Sequence, residues 1–67
     1  MSLESVLSVE RAKNNNMSID EMCEKVGVSR STYYSWINSN GETLKASTVK
    51  RLSELFGVSP DYILQSI

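Results

Sequence analysis

Residues 18–38 read SIDEMCEKVGVSRSTYYSWIN, and the fold turns on how the glycine in the middle is understood. Ser18 precedes Glu21 by three residues, the spacing of a helix capping box, and Ile19, Met22, Cys23 and Val26 then share one helical face. Gly27 supplies the positive φ that a helix C-terminus commonly uses, and Val28 and Ser29 restart the chain with the serine as an N-cap. In the helix that follows, Tyr33, Trp36 and Ile37 fall at i, i+3 and i+4, leaving Arg30, Ser31, Tyr34 and Ser35 on the other side. Two short helices joined by only Gly27, Val28 and Ser29 cannot lie back along one another, so they cross at a large angle. The pattern is a helix-turn-helix.

Outward from this segment the helical signal continues. Leu3, Val6, Leu7 and Ala12 place a first helix before the turn-forming run Asn14 to Asn16. The stretch from Asn38 to Lys45 reads as a loop. Ala46, Val49, Leu52, Leu55 and Phe56 then mark a fourth helix ending at Gly57. Ser59, Pro60 and Asp61 open a fifth, with proline suited to the first helical position and aspartate to the positive end of the helix dipole. No strand-like alternation and no internal repeat interrupts this order. The expected fold is all-α, a compact five-helix bundle, with residues 1–67 forming a single domain because so short a chain supports one core.

Composition narrows the function. No apolar run approaches the length of about 20 residues that spans a bilayer, so a cytoplasmic protein without membrane contact is expected. One cysteine, Cys23, and no histidine leave no zinc set, no internal disulfide and no histidine-based catalysis. No nucleophile, base and orienting group occur together, so an enzyme is not expected, nor are a cofactor, a metal or a small-molecule ligand. Tyr33, Trp36 and Cys23 read as core. The net charge of −1 argues mildly against nucleic acid, yet from Lys25 through Gly41 the chain carries Lys25 and Arg30 and no acid, while Asp20, Glu21, Glu24 and Glu42 flank the segment. That distribution leaves one surface acceptable to an anion.

On these residues the chain resembles the Cro and CI-like phage repressor family of lambda-repressor-like helix-turn-helix domains. MSIDEMCEKVGVSRSTYYSWINSNG (17–41) is similar to the family's second helix, turn and third helix, and TVKRLSELFGVSPDYIL (48–64) to its closing pair. The resemblance implies a regulator, such as a phage or prophage repressor, that binds a near-palindromic double-stranded DNA operator as a homodimer, with the third helix in the major groove. It implies base contacts from Arg30, Ser31, Tyr34 and Ser35, and phosphate contacts from Ser18, Asn38, Asn40, Gly41 and Lys45. Lys50 and Arg51 are weaker phosphate candidates.

Two positions depart from the family pattern. Ile19 stands where many members carry a phosphate-binding glutamine. Ile37 stands where several carry a glutamate that pairs with a buried arginine, which leaves Arg11 free for solvent or phosphate. Ile63, Leu64 and Ile67 are many apolar residues for the last turns of a small protein, and a symmetric dimer seam accounts for them. The competing reading is an antitoxin-like or anti-repressor module that binds protein instead of DNA, motivated by Ile19 and the acidic start of the second helix.

Overall fold

Serine governs where helices begin in this chain. The computed structural model describes residues 2–67, and in it four of the five helices start at a serine whose hydroxyl oxygen accepts the amide three residues on. The helices are α1 (Leu3–Lys13), α2 (Ile19–Val26), α3 (Arg30–Asn38), α4 (Ala46–Phe56) and α5 (Pro60–Leu64), and no strand occurs among the described residues. The Ser18 hydroxyl accepts the Glu21 amide at 3.0 Å, which is the forward half of the capping box; no reciprocal bond from the Glu21 side chain forms. Only α4 lacks such a cap, starting at Lys45 with no side-chain hydrogen bond.

Helix ends follow from equally local chemistry. Gly27 takes φ +84°, and its amide and that of Val28 both donate to the Cys23 carbonyl, at 2.8 and 3.0 Å. Arg51 from α4 adds a third tie, donating from Nη1 to the Val26 carbonyl at 3.2 Å, so this cation complements the negative end of α2. After α1, Asn15 and Asn16 adopt the left-handed conformation that asparagine tolerates better than most residues. The Asn14 carboxamide donates to the Glu10 carbonyl at 2.8 Å and closes that end.

Packing joins α2 to both α3 and α4, α4 to α5, and α1 to α3. Leu3 and Leu7 of α1, Met22 of α2, Leu52 of α4 and Ile63 of α5 are completely buried in one core that also takes in Cys23, Val26, Tyr33, Trp36, Val49 and Phe56. The result measures 27 × 23 × 20 Å. A helix of eight or nine residues is marginal alone in water, so this shared core is what holds α2 and α3 in place.

Three expectations are corrected here. The buried stripe of α1 continues from Leu7 to Glu10, and Ala12 is exposed, because positions 3, 7 and 10 share a face that position 12 leaves. Glu10 is tolerated in the core because Tyr62 Oη donates to its Oε2 at 3.0 Å and Lys13 Nζ lies 3.4 Å from the same oxygen. Ile63 does not present a surface for a dimer seam: it is fully buried within the protomer, and Leu64 and Ile67 carry the exposed apolar area at this end. Arg11 is not free, since it is half-buried and its Nη1 donates to the Met17 carbonyl at 3.3 Å.

Candidate nucleic-acid interface

The outer face of α3 is built by its inner face. Tyr33 and Trp36 are each 2% exposed and meet edge to face, with ring centroids 6.1 Å apart, and Ile37 packs against the same core. With these three turned inward, the helical period sends Arg30, Ser31, Tyr34, Ser35 and Asn38 outward, and all five are exposed. Ser31, Tyr34, Ser35, Asn38 and Ser39 line one shallow groove along the helix. Tyr34 meets Tyr33 edge to face at a centroid distance of 5.2 Å and is 45% exposed, so its ring is braced on the protein and open to solvent. The four residues expected to contact bases therefore lie together on one face.

Hydroxyl chemistry extends this face beyond the residues that sequence reasoning singled out. Ser35 Oγ shares a hydrogen bond with Thr43 Oγ1 at 3.0 Å, Ser39 Oγ donates to the Ser35 carbonyl at 2.8 Å, and the Thr43 amide donates to Ser39 Oγ at 3.3 Å. Thr43 and Ser39 thus tie the loop after α3 to the last turn of the helix. The loop's density of small polar residues was visible in the sequence, but the return of Thr43 to Ser35 depends on the loop path. Asp20 was also missed as a neighbour: its Oδ1 lies 3.0 Å from Arg30 Nε, so α2 brings one carboxylate to the acid-free segment.

The residues expected at phosphates divide. Ser18, Asn38 and Lys45 are exposed, and Lys45 makes no ion pair among the described residues. Ser18 uses its oxygen as an acceptor within α2 and keeps its hydroxyl proton to donate. Asn40, at φ +50°, accepts the Leu3 amide on Oδ1 at 3.2 Å, so half of its carboxamide caps α1 and its Nδ2 donors remain.

Gly41 is corrected. It is buried, its amide donates to the Trp36 carbonyl at 2.8 Å, and Ile67 lies against its α-carbon, so it offers no free donor to a phosphate. Arg51 is engaged with α2 as described, whereas Lys50 is simply exposed. Ile19, the departure from the glutamine pattern, packs partly against the core and so has a structural role at the start of α2.

Charge chemistry at the site is otherwise plain. Burial pushes the Cys23 thiol above its ordinary pKa, with Asp20 adding to the shift, so it is a packing residue and not a thiolate. Among the described residues no three histidine, cysteine, aspartate or glutamate side chains stand close enough to hold a metal ion, and no helix is long and apolar enough to cross a membrane.

A family model described as a helix-turn-helix domain matches residues 13–67, which include α2 through α5 and the end of α1. Neither the curated proteins nor the solved structures compared with the chain give a match.

Proposed function

Because the chain belongs to the helix-turn-helix domain family, of the Cro/CI type and a fold of DNA-binding regulators, we propose that it is a sequence-specific repressor that places α3 in the major groove of a near-palindromic operator as a homodimer. One observation carries this reading: α3 presents Arg30, Ser31, Tyr34, Ser35 and Asn38 on a single exposed face with no acid of its own. An α-helix fits the major groove, where each base pair has a distinct pattern of donors, acceptors and methyl groups. Arg30 suits guanine by two parallel hydrogen bonds, the serine hydroxyls donate or accept, and the Tyr34 ring packs on a thymine methyl. Asn38, Ser18 and Lys45 supply phosphate contacts on either side, and the Asn40 Nδ2 group adds one.

Net charge gives the binding its character. At −1 overall, the chain lacks the broad basic surface that produces strong non-specific affinity, so base contacts and DNA shape carry most of the free energy. Binding to unrelated duplexes is weak and falls away at physiological salt. The dimer uses Leu64 and Ile67, about half exposed at 49% and 51% in the protomer, which sets two α3 helices at half-sites one helical turn apart. DNA binding of this kind assigns the protein to the cytoplasm of its host.

The test is fluorescence anisotropy on a duplex selected by the protein from a randomised pool, beside a scrambled duplex, at low and physiological salt. Arg30→Ala is expected to cost about 1–3 kcal/mol on the selected duplex and to relax preference at one base pair. An equal loss on both duplexes makes Arg30 a phosphate contact, and no preference in the wild-type protein overturns the DNA reading. Leu64→Glu is expected to leave a monomer by sedimentation and to weaken binding to the whole operator more than to an isolated half-site. A Leu64→Glu protein that stays dimeric removes the proposed seam.

A further inference from the structure

The last carbonyl of α2 has no amide to accept. Gly27 and Val28 both donate to Cys23 one turn back, and among the described residues the Val26 oxygen takes no backbone partner. Arg51 of α4 fills that place, donating from Nη1 to the Val26 carbonyl at 3.2 Å in a half-buried bond. The same nitrogen lies 3.5 Å from where a Cβ on Gly27 would stand, so the guanidinium rests on the turn itself. Arg51 makes no ion pair among the described residues, and the negative end of α2 is its complement. Among those residues it is also the one side-chain hydrogen bond that joins α4 to the pair α2 and α3.

We propose that Arg51 is a positioning residue for operator spacing: its bond to the end of α2 fixes the reading helices to the half of the molecule that carries the dimer seam, and so sets the distance and angle between the two α3 helices of a dimer. The inference rests on the dimeric DNA reading above. Within a protomer the path from Leu64 to α3 runs from α5 to α4, from α4 to α2 and from α2 to α3. The core closes these contacts, but apolar attraction is non-directional. A charged N–H donor bound to one carbonyl selects one position of α4 along the end of α2. One added base pair moves a half-site by about 3.4 Å and turns it by about 35° around the DNA axis. A small roll of α2 on α4, repeated in the second protomer, is therefore enough to blur the choice of spacing. The outward residues of α3 share one helix and keep their places relative to one another, so the reading of a single half-site does not depend on this bond.

The experiment compares affinity for the isolated selected half-site, for two half-sites at the preferred separation, and for the same pair with one base pair added or removed. Wild type, Arg51→Met, Arg51→Lys and Lys50→Met are titrated at two salt concentrations, with thermal melts confirming that each is folded. Arg51→Met keeps an unbranched stem and removes the donors. It is expected to bind the isolated half-site within about twofold of wild type and to lower the preference for the native separation about fivefold. Arg51→Lys, which keeps a point charge and a donor, should restore part of that preference. Lys50→Met removes an exposed cation beside Arg51 that has no bond to α2, and should leave it unchanged. Should Arg51→Met melt below the titration temperature, Arg51→Lys and Arg51→Gln carry the comparison, since each weakens the bond while retaining a donor.

An equal loss on half-site and full operator with a shallower salt dependence would make Arg51 a phosphate contact. An equal loss that follows melting temperature would make the bond a matter of stability alone, and an unchanged preference for separation would make it idle. Each of these results overturns the inference and leaves the DNA reading in place. A wild type that selects a half-site but no separation removes the dimer and this inference with it, and a wild type without sequence preference removes the DNA reading itself.

Discussion

Cys23 and Arg30 show how far a single residue can be understood before its neighbours are known. Cys23 sits four places before the turn glycine, where helix packing asks for a small side chain, and it is 3% exposed in the fold. Its thiol pKa is raised, chiefly by burial, so at pH 7 both the thiolate fraction and access are low. A disulfide reagent is therefore expected to label the native protein slowly and only as fast as it opens, and to label the denatured chain at once. Rapid labelling of native protein would contradict that placement. For Cys23, spacing along the chain was sufficient information. For Arg30 it was not: exposure followed from the helical period, but the partner Asp20 lies ten residues earlier on another helix, and the packing of α2 on α3 decides their approach.

Among the elements, the loop from Ser39 to Lys45 departs most from a sequence reading. Its turn residues mark it as a connection, and they suggested free donors for phosphate. In the structure it is instead a braced segment, held to α3 through Thr43 and Ser39, to α1 through Asn40, and to the C-terminal residue through Gly41. Gly41 has φ +90°, and a Cβ there would lie 2.5 Å from Ile67 Cγ1. Gly41→Ala is expected to destabilise the protein by about 1–2 kcal/mol from backbone strain, with a further loss from displacing Ile67. The added loss is absent when Ile67 is already alanine, so the two changes together should cost less than their sum in thermal or urea unfolding. Strict additivity would mean that Ile67 does not rest on the glycine. The glycine itself was legible; the residue that covers it comes from 26 positions away and was not.

For the whole molecule, titration reports on packing. Cys23 and Tyr33 are raised mainly by burial, and Tyr62 mainly by its hydrogen bond to Glu10. All three hold their protons more tightly when folded than when unfolded. As pH rises past about 8.5 for cysteine and about 10 for tyrosine, the unfolded chain releases protons first, so stability is fully present below these values and declines above them. Melting temperature is accordingly expected to hold between pH 7 and 8 and to fall steadily from about pH 9. Tyr62→Phe should lower stability at neutral pH by leaving the Glu10 carboxylate with Lys13 alone, and should flatten the decline near pH 10. An unchanged alkaline limb in that variant would show that the bond between α5 and α1 is not formed in solution.

The sequence by itself determined the five helices, the serine starts of α2, α3 and α5, the glycine stops of α2 and α4, the helix-turn-helix and the inward face of α3, because capping, left-handed glycine and the helical period act within a few residues of chain. It also fixed which residues α3 turns outward, since an inward Tyr33 and Trp36 leave no other face for Arg30, Ser31, Tyr34 and Ser35. Only the tertiary structure decided that Tyr62 partners the buried Glu10, that Ile63 belongs to the core while Leu64 and Ile67 do not, that Gly41 and Arg51 are already engaged, and that Asp20 stands beside Arg30. The physical reason is common to them all. Each depends on two groups distant in sequence whose meeting is set by how helices pack, and no local pattern encodes that meeting.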